Sequence, residues 1–150
     1  MLRQELGPNA IITHAPVAPW FSQKAYPKGS YLDFHKQAGD AVSWYNIQYY
    51  NQGGKSYTHC ETLLNNGTRA HFPSTSVFEI HKEGGIPLEK LVIGKPGTPK
   101  DADNGYISTK GLGKCLRDGA SKGWKGGVMY YEYPHMNGKK LKPLRDAAGY

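Results

Sequence analysis

The sequence predicts an α/β fold built on a parallel sheet, and three observations carry that expectation. Short apolar runs alternate with stretches of helical period along the 150 residues. Most of the runs are apolar at successive positions, as strands covered on both faces require. Gly, Pro, Asn and Asp punctuate the chain between them. Four strand–helix units are counted. Four units make either a small open sheet or half of a closed barrel, since a complete (β/α)8 barrel takes about 250 residues. In either architecture the carboxyl ends of the strands carry the site.

The elements follow in order. Met1–Leu6 reads as the tail of an amphipathic helix, so the chain is expected to begin partway into a domain. Ala10–Ala15 is a short apolar strand after the turn Gly7-Pro8-Asn9, and a Pro-rich loop runs from Pro16 to Gly29. A helix is predicted from about Ser30 to Ala41, with Ser30 as N-cap and Asp33 three residues on. Trp44–Tyr50 is the second strand. The loop Asn51–Ser56 leads to a short helix at Cys60–Leu64. Ser74–Glu83 is helical, capped by Ser74 or Ser76 and stopped by Gly84-Gly85. Lys90–Gly94 is the third strand, closed by Gly94-Lys95-Pro96. After a loop rich in Gly, Pro, Asp and Asn, Ser108–Lys122 forms a helix that Gly123 ends. Gly126–Tyr133 is the fourth strand, and a loop with a short final helix completes the chain to Tyr150.

Composition narrows the function classes. No run of about 18 apolar residues encodes a membrane span, and the charges in Met1–Leu6 do not fit a signal peptide. The net charge of +7 raises nucleic acid as a partner. The lysines are nevertheless spread along the sequence. The one dense group, Lys139, Lys140, Lys142 and Arg145, reads as a solvated helix face, so neither nucleic acid nor membrane is expected. Cys60 and Cys115 match no metal spacing. They are a disulfide if the protein is secreted, or two buried thiols. Asn66-Gly67-Thr68 fits the glycosylation acceptor pattern.

The second strand carries the clearest chemical signal. Alternation places Trp44, Asn46, Gln48 and Tyr50 on one face and Tyr45, Ile47 and Tyr49 on the other. Amides and phenols on a core-facing strand need internal partners or a ligand. Lined up at the strand's carboxyl end, they suit a carbohydrate: donors, acceptors and a flat ring face without charge. The alternative is a tyrosine-rich strand whose polar groups satisfy one another internally.

The strand ends read Ala15-Pro16, Gln48-Tyr49-Tyr50-Asn51, Gly94-Lys95-Pro96 and Gly127-Val128-Met129-Tyr130-Tyr131. In order and spacing these resemble glycoside hydrolase family 18, in its fungal and plant-type chitinase branch. That family has Ala-Pro after strand five, Gln-x-Tyr-Asn on strand six, Gly-x-Pro after strand seven and Gly-Val-Met-x-Trp on strand eight. The resemblance spans nearly the whole chain and covers strands five to eight only. It implies a half-barrel, the C-terminal half of a family 18 catalytic domain over residues 1–150, with no second domain. The family's strand-four signature, Asp-x-x-Asp-x-Asp-x-Glu, which holds the general acid, is absent from these residues.

The resemblance implies retaining hydrolysis of β-1,4-linked N-acetylglucosamine polymers, with the substrate's own acetamido carbonyl as nucleophile. No cofactor or metal is implied. Carried over residue by residue, Tyr50 matches the tyrosine that orients the acetamido group and is the catalytic candidate. Gln48 and Asn51 match polar neighbours lining the sugar pocket, with internal hydrogen bonding as their alternative. Tyr131 stands where tryptophan floors the subsite, and a phenol covers less of a sugar face than an indole. In the family the peptide after that position is often cis, which here is Tyr131–Glu132. Trp20 is a candidate further platform, or an ordinary packed loop aromatic. His14 is read as structural, and Glu132 has no matching family role. The implied partners are chitin or N-acetylglucosamine oligosaccharides, and the family implies secretion. Without its acid the chain alone is expected to be inactive. The alternative function is a non-catalytic glycan-binding remnant. Open sheet edges at Ala10–Ala15 and Gly126–Tyr133 are expected to make the chain unstable alone or self-associating.

Overall fold

A computed structural model describes residues 2–67 and 72–149. The acceptor triplet Asn66-Gly67-Thr68 runs into residue 68, which lies outside the described residues, as do Met1 and Tyr150. Among the described residues four strands, β1 (Thr13–His14), β2 (Trp44–Gln48), β3 (Leu91–Pro96) and β4 (Val128–Tyr131), form one sheet in chain order. All three pairings are parallel. Trp44 lies opposite Thr13, Gln48 opposite Gly94, and Pro96 opposite Tyr131. Among the described residues six α-helices accompany the strands: α1 (Leu2–Leu6), α2 (Tyr31–Ala38), α3 (Cys60–Leu64), α4 (Val77–Gly84), α5 (Thr109–Ser121) and α6 (Gly138–Ala148). This is the α/β half-barrel expected, with strands joined in sequence and both edges, β1 and β4, unpaired among the described residues.

Boundaries shift for identifiable reasons. β1 is shorter than Ala10–Ala15 because the Arg3 guanidinium donates to the carbonyls of Pro8, Ala10 and Ala41. Those carbonyls serve a side chain rather than a ladder. α2 stops at Ala38 and tightens into a 3-10 turn, Gly39–Ala41. Its start is the predicted one: Ser30 and Asp33 form a reciprocal capping box. In α4 the cap is Ser76, which forms its own box with Glu79. Ser74 lies outside the helix in a left-handed conformation (φ 65°). β3 runs two residues past Gly94, and the short final helix expected is α6, eleven residues long. β4 ends at Tyr131, followed by cis peptides at Tyr131–Glu132 and Tyr133–Pro134.

The core lies between the sheet and the helices. Tyr45, Ile47 and Tyr49 of β2 and Leu91 and Ile93 of β3 pack there with Leu32, Ile80, Leu112 and Trp124. Burying one such side chain is worth about 2 kcal/mol. The opposite face carries Trp44, Asn46 and Gln48, all half-buried. The polar side of β2 is therefore not a core face, which corrects the sequence expectation. It borders an open concavity of about 490 Å³, lined by Trp44, Asn46, Val92 and Met129 among others. Cys60 on α3 and Cys115 on α5 form a disulfide (Cα–Cα 5.0 Å), which closes the choice the sequence left open. Among the described residues no helix is long and apolar enough to cross a membrane.

Candidate functional site

The rim at the carboxyl ends of the strands is built around Tyr50. Beyond Gln48 the chain keeps strand-like bonds, with the Tyr49 N–H donating to the Gly94 carbonyl. Asn51 then turns in a left-handed conformation (φ 59°), which Asn tolerates better than most residues. Its N–H donates to the Asn104 carbonyl, and its Oδ1 accepts from the Asp103 N–H at 2.8 Å. Gly105 lies directly against Tyr50. Its φ is +92°, and an added Cβ would sit 2.6 Å from Tyr50 Cα and 2.8 Å from the Tyr49 carbonyl oxygen. We expect Gly105→Ala to lower stability by about 2 kcal/mol or more, read by urea denaturation, because it combines a disfavoured φ with a backbone clash.

The Tyr50 ring stacks on Tyr131 across the sheet, with centroids 5.8 Å apart and planes at 16°. Tyr50 is buried, whereas Tyr131 is 46% exposed and forms the outer ring. Burial, then the neighbouring Tyr131 phenol, raises the Tyr50 pKa above its ordinary value. The hydroxyl therefore stays protonated through neutral pH, and it makes no hydrogen bond among the described residues. A fixed, protonated, uncommitted phenol is a donor ready for an acceptor.

The other predicted residues behave differently. Gln48 is on the same face of β2 as Tyr50, one layer deeper by register, and its Nε2 donates to the Ala15 carbonyl at 2.5 Å. The Asn51 side-chain oxygen is taken by backbone. For these two amides internal hydrogen bonding, the alternative reading, describes what the structure contains. Trp20 is 43% exposed in the 3-10 turn Ala18–Phe21 and stacks on Tyr31 at 6.0 Å, a separate aromatic group near the end of β1. His14 stacks on Phe34 at 4.9 Å and meets the Tyr31 hydroxyl at 3.4 Å.

Two features escaped the sequence reading. Lys95, fully buried, donates to the carbonyls of Tyr49 (2.8 Å), Tyr57 (2.6 Å) and Gly105 (3.0 Å). It pins three rim segments at once, and burial pulls its pKa well below the ordinary lysine value. Its only sequence signal is a lysine inside an apolar strand ending. The second feature is a clasp between the loops after β3 and β4: His135 Nδ1 meets Asp101 Oδ1 at 2.6 Å. Glu132 brings a carboxylate oxygen within 4.8 Å of both, so these three residues are the group among those described that could hold a cation.

No family model and no curated protein matches the chain. Among solved structures it is similar to a family 18 chitinase from Pseudoalteromonas aurantia, at 23% identity and TM-score 0.78 over 97% of this chain and 50% of that one. It is similar to a fungal endo-beta-N-acetylglucosaminidase of glycosyl hydrolase family 18, at 27% identity and TM-score 0.64 over 97% of this chain and 46% of that one. A chitinase from Aspergillus fumigatus aligns at 23% identity and TM-score 0.65 over 99% of this chain and 51% of that one. The chain thus spans about half the length of the solved structures it matches, and its fold is that of a partial family 18 barrel.

Proposed function

We propose that residues 1–150 are strands five to eight, with their helices, of a family 18 catalytic domain acting on β-1,4-linked N-acetylglucosamine polymers. The single observation that carries this reading is the Tyr50–Tyr131 pair at the strand tips. Tyr131 offers a ring face to a sugar. Tyr50 offers a protonated hydroxyl to its acetamido oxygen, holding the carbonyl against the anomeric carbon for substrate-assisted attack. The proton for the leaving oxygen comes from a carboxyl group on residues other than these 150. Gln48 and Asn51 support the rim rather than gripping the sugar, and Trp20 is a second platform on the β1 side. The Cys60–Cys115 bridge fits an oxidising compartment, in line with a secreted enzyme.

The test uses the chain itself with N-acetylglucosamine tetrasaccharide and a fluorogenic chitobiose glycoside. We expect saturable binding without product release. Tyr131→Ala should weaken binding roughly tenfold, since an aromatic stack is worth about 0.5–1.5 kcal/mol. Turnover by the chain alone, surviving a contamination control, contradicts the placement of the acid. The alternative, a glycan-binding remnant without catalysis, is favoured by the phenol at Tyr131 in place of indole. It is distinguished by supplying strands one to four of a family 18 barrel in trans: an enzyme half gains turnover, a binding remnant does not. Both unpaired edges also support self-association. Size-exclusion chromatography should show dimers or larger species, and a cooperative, soluble monomer would contradict that.

A further inference from the structure

The net charge is concentrated on one part of the fold. Residues 108–150 hold nine of the 19 lysines and arginines but three of the 12 acids, so +6 of the +7 falls there. Seven of the nine cations form two separate groups in the sequence, three on α5 and four on α6, with Lys122 and Lys125 between the helices. In the structure α5 and α6 pack side by side: a Cβ on Gly113 would lie 2.4 Å from the Ala147 methyl, and Arg117 donates to the Ala147 carbonyl. On α5, Lys110, Lys114 and Arg117 recur at helical spacing along one exposed face. They line a surface groove of about 710 Å³ between the helices, with Asp118 as its one acid. On α6, Lys139, Lys140, Lys142 and Arg145 are all exposed. Lys142 pairs with Asp146 at 2.8 Å, and Lys140 donates to the His135 carbonyl. Lys110, Lys114, Lys139 and Arg145 make no ion pair or hydrogen bond among the described residues.

We infer that the α5–α6 layer is a docking surface for a linear acidic polysaccharide, separate from the rim. Like charges held together on two packed helices repel, and a polyanion relieves that repulsion by displacing counterions. Lysine dominates the patch, supplying point charges rather than the planar forks that read base edges. No exposed aromatic side chain is interleaved on these helices to stack bases; the exposed rings Trp20, Tyr26, Tyr131 and Tyr133 belong to other segments. The disulfide fits an oxidising, extracellular setting, where a polysaccharide rather than a nucleic acid is the polyanion we take as partner. The helix layer covers the face of the sheet away from the concavity, so a chain bound there leaves the rim open.

The experiment is titration of the intact chain with polygalacturonate at 50–300 mM NaCl. Two quadruple variants of equal charge change are compared. One is Lys110→Glu, Lys114→Glu, Lys139→Glu and Arg145→Glu. The other reverses four exposed lysines elsewhere: Lys24→Glu, Lys28→Glu, Lys55→Glu and Lys82→Glu. Glutamine versions at the same positions serve if a reversal fails to fold. Expected is salt-sensitive binding, weakened more than tenfold by the α5–α6 set and less than threefold by the scattered set. Equal weakening by both sets, or no saturable binding at 50 mM NaCl, overturns the proposal. Tighter binding to a 20-base-pair DNA duplex than to polygalacturonate overturns the choice of partner. Tyr131→Ala leaves this binding unchanged, so the result is independent of the sugar groove.

Discussion

Replacing Lys95 by methionine should lower stability by about 3 kcal/mol or more, since each buried carbonyl that loses its donor costs about 1–3 kcal/mol. The Lys95 amine donates to three buried acceptors, the carbonyls of Tyr49, Tyr57 and Gly105. Methionine fills much of the same space but donates nothing, so buried carbonyls are orphaned. In a chain of this size a loss near 4 kcal/mol shifts Tm by roughly 10 °C, readable by calorimetry. The same residue sets a pH dependence. Its folded pKa lies well below the ordinary lysine value because burial disfavours the charge. Between that lowered value and about 10.5, the unfolded chain binds the extra proton, so stability rises with pH across the window. Lys95→Met should flatten that rise. A wild-type profile that falls with pH there would contradict this account of Lys95.

Removing the disulfide should cost nearly as much. The bridge spans a sequence separation of 55 residues. Loop-closure entropy for such a span corresponds to about 4 kcal/mol of stabilisation in the chain-entropy treatment. It ties α3, which is five residues long, to the thirteen-residue α5. A helix as short as α3 has little stability of its own. The double variant Cys60→Ala/Cys115→Ala avoids leaving buried hydroxyls. We expect its urea midpoint to fall by an amount worth about 3–4 kcal/mol, with an equal fall for the wild type in reductant. A change below about 1 kcal/mol would mean that packing alone holds α3.

The features legible in the sequence were those set by local rules. The Ser30–Asp33 pairing and the Gly85 stop in a left-handed conformation depend on residues within a few positions, whereas the choice between Ser74 and Ser76 as the α4 cap stayed open until the structure showed Ser76 paired with Glu79. The Tyr45–Ile47–Tyr49 stripe follows from period two, and Cys60–Leu64 was placed to the residue. The illegible features come from long-range contacts. β1 is cut short by a guanidinium that reaches the Ala41 carbonyl 38 residues away. Lys95 reads as the end of a strand until the carbonyls of Tyr49 and Tyr57 close around it from 46 and 38 residues away. Asn51 and Gln48 carry the right chemistry for a sugar, but the backbone partners of the Asn51 Oδ1 and the Gln48 Nε2, the Asp103 N–H and the Ala15 carbonyl, lie 52 and 33 residues away. Tyr50 and Tyr131 were singled out separately, from motifs on different strands, and their stacking at 5.8 Å is a contact that only the fold reveals.

The most direct test of the account is a titration of the chain, with its tyrosines isotopically labelled, by N-acetylglucosamine tetrasaccharide, followed by NMR. The account predicts saturable shifts concentrated on the Tyr50 and Tyr131 ring signals, weakened roughly tenfold by Tyr131→Ala. Saturable binding that leaves both rings unperturbed, or that survives Tyr131→Ala undiminished, would contradict it.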